Sequence, residues 1–108
     1  MRYVSNAFSL NMIASSCNVS VSVYGSNIDA AKFYMDRPDA PVSIVGHEDT
    51  ARIFSSLIGE EIAFNRANVT LAPGDEVLVG QYRGPRLPEG ASKLPEGASI
   101  EWIVIAIR

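Results

Sequence analysis

The segment Gly46-His47-Glu48-Asp49-Thr50 carries the only histidine of the chain. An imidazole can give or take a proton near neutral pH because its unperturbed pKa is ~6.5. His47 is therefore the first candidate for acid–base chemistry. A capping or surface role is the alternative interpretation, since polar side chains often serve helix ends.

An amphipathic helix is predicted to follow His47 directly. Four apolar residues recur at i, i+3, i+6 and i+7 and share one face, namely Ala51, Phe54, Leu57 and Ile58. Gly59 is placed to end this run. His47 would then stand at the start of a helix, where the fold holds its position.

Three other kinds of site fit the sequence poorly. Ser9, His47 and Asp49 could form a hydrolase triad, but Ser9 lies in a polar turn and not in a nucleophile elbow. The glycines after residue 83 lack the strand-to-helix context of a phosphate-binding loop. One histidine and Cys17 cannot make a zinc site within one chain, although carboxylate sites for Mg²⁺ are formally possible. No cofactor is expected.

The remaining polar groups are one histidine, several arginines and a few Asn, Ser and Gln side chains. They suit metal-free cleavage of RNA, in which a ribose 2′-hydroxyl attacks the neighbouring phosphorus. Arginines can stabilise the phosphorane, and an acid can protonate the departing 5′-oxygen.

Composition restricts the class of ligand. The 108 residues suffice for one domain with a single core, and the net charge is −3 with a pI near 5.0. A protein that grips long DNA or RNA needs many Lys and Arg, so a nucleotide ligand should be small. No apolar stretch reaches the ~20 residues of a membrane span, and the start of the chain has no signal-peptide pattern. We expect a cytoplasmic protein without membrane contact.

The hydrophobic pattern predicts an α/β fold, a mixed sheet of about five strands flanked by helices. The predicted strands are 2–5, 18–24, 42–45, 76–82 and 100–107, and the predicted helices are 28–36 and the helix that starts near His47 and ends at Gly59. The order strand, helix, strand, helix over 18–59 favours a partly parallel sheet. The apolar end of 100–107 predicts a strand well inside that sheet.

Finer expectations accompany this pattern. The alternation in 18–24 predicts a half-buried strand with its three valines on one face, Val19, Val21 and Val23. Residues 62–64 and 69–71 are also strand-like. Because a turn signal at Pro73-Gly74-Asp75 precedes 76–82, the simplest interpretation is a β-hairpin.

The long loop, residues 83–99, is rich in Gly and Pro and contains Leu-Pro-Glu-Gly-Ala-Ser at 87–92 and again at 94–99. Connections longer than ~12–15 residues are usually lids, binding loops or linkers. We favour a lid that brings cationic and acidic groups to an anionic ligand, with a plain surface loop as the alternative. Those groups are Arg83, Arg86, Lys93 and either Glu89 or Glu96.

Several segments together carry a family resemblance. They are Asn6 to Met12 (N-A-F-S-L-N-M), Gly46 to Thr50, Asn65-Arg66, and Gln81 with Arg86-Leu87-Pro88-Glu89-Gly90. In this order the chain resembles the small anti-CRISPR ring nucleases of archaeal viruses and bacteriophages, a family with relatives in cellular type III CRISPR loci.

The resemblance implies a homodimer that binds cyclic tetra-adenylate at the subunit interface and linearises it without metal. This would silence type III CRISPR signalling. By the same resemblance His47 is the general acid, and Arg86 and Glu89 act on the scissile region from the loop. The implied substrate-binding residues are Asn6, Ser9, Asn11, Asp49, Arg66, Gln81 and Arg83. A two-fold protein interface also suits a ring with two-fold symmetry.

Three departures from the family pattern mark this chain. Asp49 stands where the family commonly has a serine, and an acid there suits the helix dipole and could help to hold His47 protonated. The duplicated hexapeptide leaves Glu89 and Glu96 as alternatives, of which Glu89 has the better spacing to Arg86. The long loop replaces a helix before the last strand. A non-catalytic nucleotide-binding module and a protein-interaction domain are the alternative functions.

Overall fold

The structure is a computed structural model that describes residues 1–14 and 16–108. These residues form five strands, two helices and one 3-10 turn. In chain order they are β1 (Arg2–Ser5), the 3-10 turn (Leu10–Met12), β2 (Val19–Gly25), α1 (Ile28–Met35), β3 (Val42–Ser43), α2 (Glu48–Ile58), β4 (Glu76–Arg83) and β5 (Ser99–Ile107). The predicted α/β fold is confirmed. No helix of the described residues is long and apolar enough to cross a membrane.

The strands form one mixed sheet in the order β2-β5-β4-β1-β3. β1 runs parallel to β3 and β4, whereas β5 is antiparallel to β4 and β2. β5 therefore lies inside the sheet, as its apolar sequence predicts. Because β1, β3 and β4 are parallel, their carboxyl ends meet at one edge.

The main core lies between the helices and one face of this sheet. Both helices bury apolar side chains there against β1, β4 and β5. Phe54 of α2 packs on Trp102 with 5.0 Å between ring centroids. Gly80 of β4 makes this approach possible, since a Cβ there would lie 2.7 Å from Trp102 Cζ3. The helix that carries His47 at its start is thus firmly seated on the sheet.

The valine face of β2 is exposed, contrary to the predicted half-buried strand. Val19, Val21 and Val23 expose 37%, 58% and 67% of their surface. β2 is an edge strand, and its register with β5 puts these valines on the face away from the helices. The alternation correctly predicts the strand, but it does not tell what covers each face.

The predicted strands at 62–64 and 69–71 are wrong, and so is the hairpin before β4. Each segment makes a single bridge, Phe64 with Val45 and Leu71 with Ile13. β4 pairs with β1 on one side and with β5 on the other, so neither of its edges is left for residues 69–71. Strand β3 is shorter than the predicted 42–45.

Candidate functional site

A cavity of about 920 Å³ lies beyond the carboxyl ends of β1 and β4, beside the start of α2. In open α/β sheets this edge is the usual place for a ligand. The cavity is lined by Asn6, His47, Asp49, Thr50, Tyr82, Gly84, Arg86, Leu87, Pro88 and Glu89. It therefore brings together the three predicted catalytic residues, which come from the start of α2 and from the long loop.

His47 is the N-cap residue of α2. Its Nδ1 atom accepts a hydrogen bond from the backbone N–H of Thr50 at 3.4 Å, and the Thr50 hydroxyl lies 3.3 Å from the same nitrogen. A ring nitrogen that accepts carries no proton, so neutral His47 has its proton on Nε2. His47 therefore caps α2 through Nδ1, and its Nε2 atom takes no part in the cap.

Asp49 connects α2 to the long loop. One carboxylate oxygen is paired with Arg52, and Oδ2 accepts a hydrogen bond from the backbone N–H of Gly90 at 3.2 Å. The side chain is only 14% exposed. The added negative charge is therefore matched by a cation and a loop amide within the cavity wall.

Other contacts fix the two segments that carry the cavity. Asn6 Oδ1 accepts from the backbone N–H of Gly46 at 3.2 Å, which ties the end of β1 to the residue before His47. The Tyr82 hydroxyl donates to the carbonyl of Pro85 and so holds the first turn of the long loop. Gly84 has a φ of +149° and no room for a side chain, since a Cβ would lie 2.7 Å from Ala98 Cβ.

A second cavity, of about 420 Å³, shares Asn6 with the first. Ser9, Asn11 and Arg66 line it together with residues 67–70. The segment with Arg66 is anchored beside β3, because Asn65 Nδ2 donates to the Ser43 carbonyl at 2.8 Å. Three further predicted substrate-binding residues are therefore adjacent to the His47 cavity.

The remaining predicted residues lie elsewhere. Gln81 faces a cavity of about 350 Å³ on the sheet surface away from the helices, which also includes Asn6. Arg83 pairs with Glu101 at 3.1 Å and lies outside these three cavities. Lys93 lines a separate cavity beside α2, and Glu96 lines none of them. Of the two alternative glutamates, Glu89 is the one at the His47 cavity.

Thr50 and Tyr82 line the cavity but are not predicted as site residues. Thr50 lies in the segment Gly46 to Thr50 that was singled out around His47. Its position on the first turn of the predicted helix could have indicated that it lies next to His47. Tyr82 offers no comparable signal, because its role depends on where the long loop leaves β4.

Two ionisable groups have clearly shifted pKa values, and both lie away from the cavity. Burial raises the pKa of Tyr34 to about 12. The backbone N–H of Ala72, which donates to Asp75, lowers the pKa of that carboxyl group. Among the described residues, 1–14 and 16–108, no cluster of three or more His, Cys, Asp or Glu side chains could hold a metal ion.

The fold matches that of a solved viral protein. B116 of Sulfolobus turreted icosahedral virus (STIV) aligns with a TM-score of 0.78 at 22% sequence identity, over 97% of each chain. The family model described as STIV B116-like matches residues 2–100, so the chain belongs to the STIV B116-like family. No curated protein sequence matches this chain.

Proposed function

We propose that this protein is a metal-independent ring nuclease that cleaves cyclic tetra-adenylate and thereby ends type III CRISPR signalling. The observation that carries the proposal is the cavity that joins His47, Arg86 and Glu89, which are up to 42 positions apart in the chain. Membership of the STIV B116-like family and the sequence resemblance to ring nucleases agree with it.

Each of the two cuts that yield di-adenylate is a transesterification at one phosphodiester. The ribose 2′-oxygen forms a bond to phosphorus and releases its proton to water, while the bond from phosphorus to the 5′-oxygen breaks. His47 supplies a proton to that leaving oxygen from Nε2, the ring nitrogen outside the helix cap. Arg86 makes no ion pair with another described residue, so its charge is available for the phosphorane.

Glu89 lies on the turn that the Asp49 carboxylate holds at Gly90. In the proposed reaction it acts on the scissile region from the loop side, opposite the helix that carries His47. The adjacent cavity with Ser9, Asn11 and Arg66 offers hydroxyl, amide and guanidinium groups for the neighbouring nucleotide.

A homodimer is part of this proposal. β2 is an edge strand whose exposed face is apolar, and such an edge offers unpaired backbone groups with which another chain can pair. The cavity of Gln81 and Asn6 also contains Val21 and Ile103 from the same sheet surface. A partner that covered this surface would therefore approach two of the predicted substrate-binding residues.

A second candidate function is binding of the cyclic nucleotide without cleavage. The Asp49 carboxylate favours it, because an anion in the cavity wall opposes the doubly charged phosphorane of the cleavage step more than the singly charged phosphodiester of the bound ring. Its pairing with Arg52 and the Gly90 amide reduces that repulsion, so cleavage is the preferred proposal.

The test is incubation with cyclic tetra-adenylate in EDTA, followed by mass spectrometry. We expect linear di-adenylate with a 2′,3′-cyclic phosphate, and rings of three and six adenylates serve as specificity controls. An intact ring that binds the protein would favour the second candidate, and an intact ring without binding would contradict both.

The dimer is tested separately by sedimentation. Val23→Lys places a charge on the exposed edge strand, and we expect it to shift the protein to monomer and to reduce cleavage. Phe33→Lys is the matched control, since Phe33 is 77% exposed on α1, which lies on the opposite face of the sheet from the β2 valines. A wild-type protein that sediments as a monomer at all concentrations contradicts the proposed dimer.

A further inference from the structure

The Thr50 side chain faces His47 and no other hydrogen-bonding group of the described residues. Thr50 is 7% exposed, and its hydroxyl oxygen lies 3.3 Å from His47 Nδ1. A buried hydroxyl normally has a hydrogen-bond partner, and this ring nitrogen is the one that Thr50 has. The two residues therefore form a polar pair at the start of α2.

The two Thr50 groups at Nδ1 differ in what they can do. The backbone N–H can only donate, so it holds the ring only while Nδ1 is unprotonated. The hydroxyl can donate to Nδ1 or accept from it. Only the hydroxyl can therefore stay bonded to the ring in both protonation states.

A general acid passes through both states. His47 must carry protons on both ring nitrogens before it releases the Nε2 proton to the leaving 5′-oxygen, and that release leaves the second proton on Nδ1. A proton on Nδ1 points at the Thr50 hydroxyl and amide, and the amide N–H opposes it. Without an acceptor at this position the protonated ring would lose its orientation.

The other polar and charged groups around the cavity do not replace this acceptor. On α2 the Asp49 carboxylate is held by Arg52 and by the Gly90 amide. On the long loop Arg86 is a cation, and Glu89 is exposed on the loop side of the cavity. Tyr82 of β4 donates its hydroxyl to Pro85, and Asn6 after β1 accepts from Gly46.

We propose that Thr50 is a positioning residue of the site. Its hydroxyl oxygen accepts a hydrogen bond from the Nδ1–H group of charged His47 and so keeps Nε2 directed into the cavity. The inference rests on the proposed function, because it assigns Thr50 a part in the acid step. Its hydrogen bond, however, can be tested without any substrate.

The direct test is NMR of the His47 ring, which is unambiguous because the chain has a single histidine. At a pH of about 5, where imidazoles are mostly protonated, we expect a slowly exchanging Nδ1–H signal in the wild type and in Thr50→Ser. Thr50→Val keeps the shape and the backbone N–H but removes the hydroxyl, and it should lose the signal. A wild-type ring without a protected Nδ1–H, or an unchanged signal in Thr50→Val, overturns the proposal.

Cleavage kinetics supply the second readout. Thr50→Val should lower kcat about 10- to 100-fold, the range for one hydrogen bond to a charged group, with ligand binding nearly unchanged. Thr50→Ser should restore most of the activity, and melting curves of both variants check the fold. Equal kcat in wild type and Thr50→Val overturns the role of Thr50, whereas a wild type that never cleaves contradicts the proposed function and leaves the NMR result standing.

Discussion

The two copies of Leu-Pro-Glu-Gly-Ala-Ser have the same local structure and different surroundings. In each copy the alanine N–H donates to the proline carbonyl, at 3.1 Å in 87–92 and at 3.0 Å in 94–99. The glycines have nearly the same φ, +78° at Gly90 and +81° at Gly97. The sequence of six residues thus determines one type of turn twice.

The surroundings give the copies separate tasks. The first turn lines the His47 cavity with Leu87, Pro88 and Glu89 and is bonded to Asp49 through Gly90. The second begins at Leu94, which packs against the main core, and continues directly into β5. One copy therefore forms a wall of the site, and the other anchors the loop to the sheet.

The largest difference between the copies should appear in catalysis. Glu89→Gln removes the carboxylate at the cavity, and we expect cleavage of cyclic tetra-adenylate to slow by about 100-fold. Glu96→Gln makes the same change in the second turn and should leave the rate within about twofold. Single-turnover cleavage rates measure both effects. Equal losses of rate in the two variants would contradict the different roles of the two copies.

The free energy of unfolding should depend more on the second copy of the hexapeptide than on the first. Leu94→Ala removes a half-buried side chain from the core, so the free energy of unfolding should fall by about 1–2 kcal/mol. Leu87 is equally half-buried but lines the cavity and is not among the residues that pack against the main core, so Leu87→Ala should lower the free energy of unfolding by less, about 0.5 kcal/mol. Urea denaturation of both variants provides the measurement, and a larger loss for Leu87→Ala would contradict the division of tasks.

The smallest expected effect concerns the attachment of the first turn. Asp49→Ala removes the acceptor of the Gly90 N–H, a bond of about 1 kcal/mol, so this amide should exchange with deuterium about fivefold faster. The Gly97 amide should not change, and Asp49→Asn, which keeps an acceptor oxygen, should remain near the wild type. Equal acceleration at both glycines would show that Asp49 acts on the whole loop.

Local patterns predicted the elements that position the site. The period of Ala51, Phe54 and Ile58, with Gly59 after them, predicted α2 and placed His47 at its start, as the structure confirms. The position of β5 inside the sheet and the long loop before it were predicted in the same way. These features depend on residues close in the chain.

Features that depend on distant residues were not predictable. The exposure of the β2 valines follows from the edge position of that strand, and the irregular path of 62–71 follows from the pairing of β4 with β1. The Asp49 bond to Gly90 joins residues 41 positions apart. A single sequence contains no periodicity that reports such contacts.

The central claim is that His47 donates the proton in cleavage of cyclic tetra-adenylate. The most direct measurement is single-turnover cleavage in EDTA by the wild type and by His47→Ala, with ligand binding measured on the same samples. We predict that His47→Ala binds the ring normally and cleaves it about 10²–10⁴-fold more slowly. Equal cleavage by the two proteins would contradict the account.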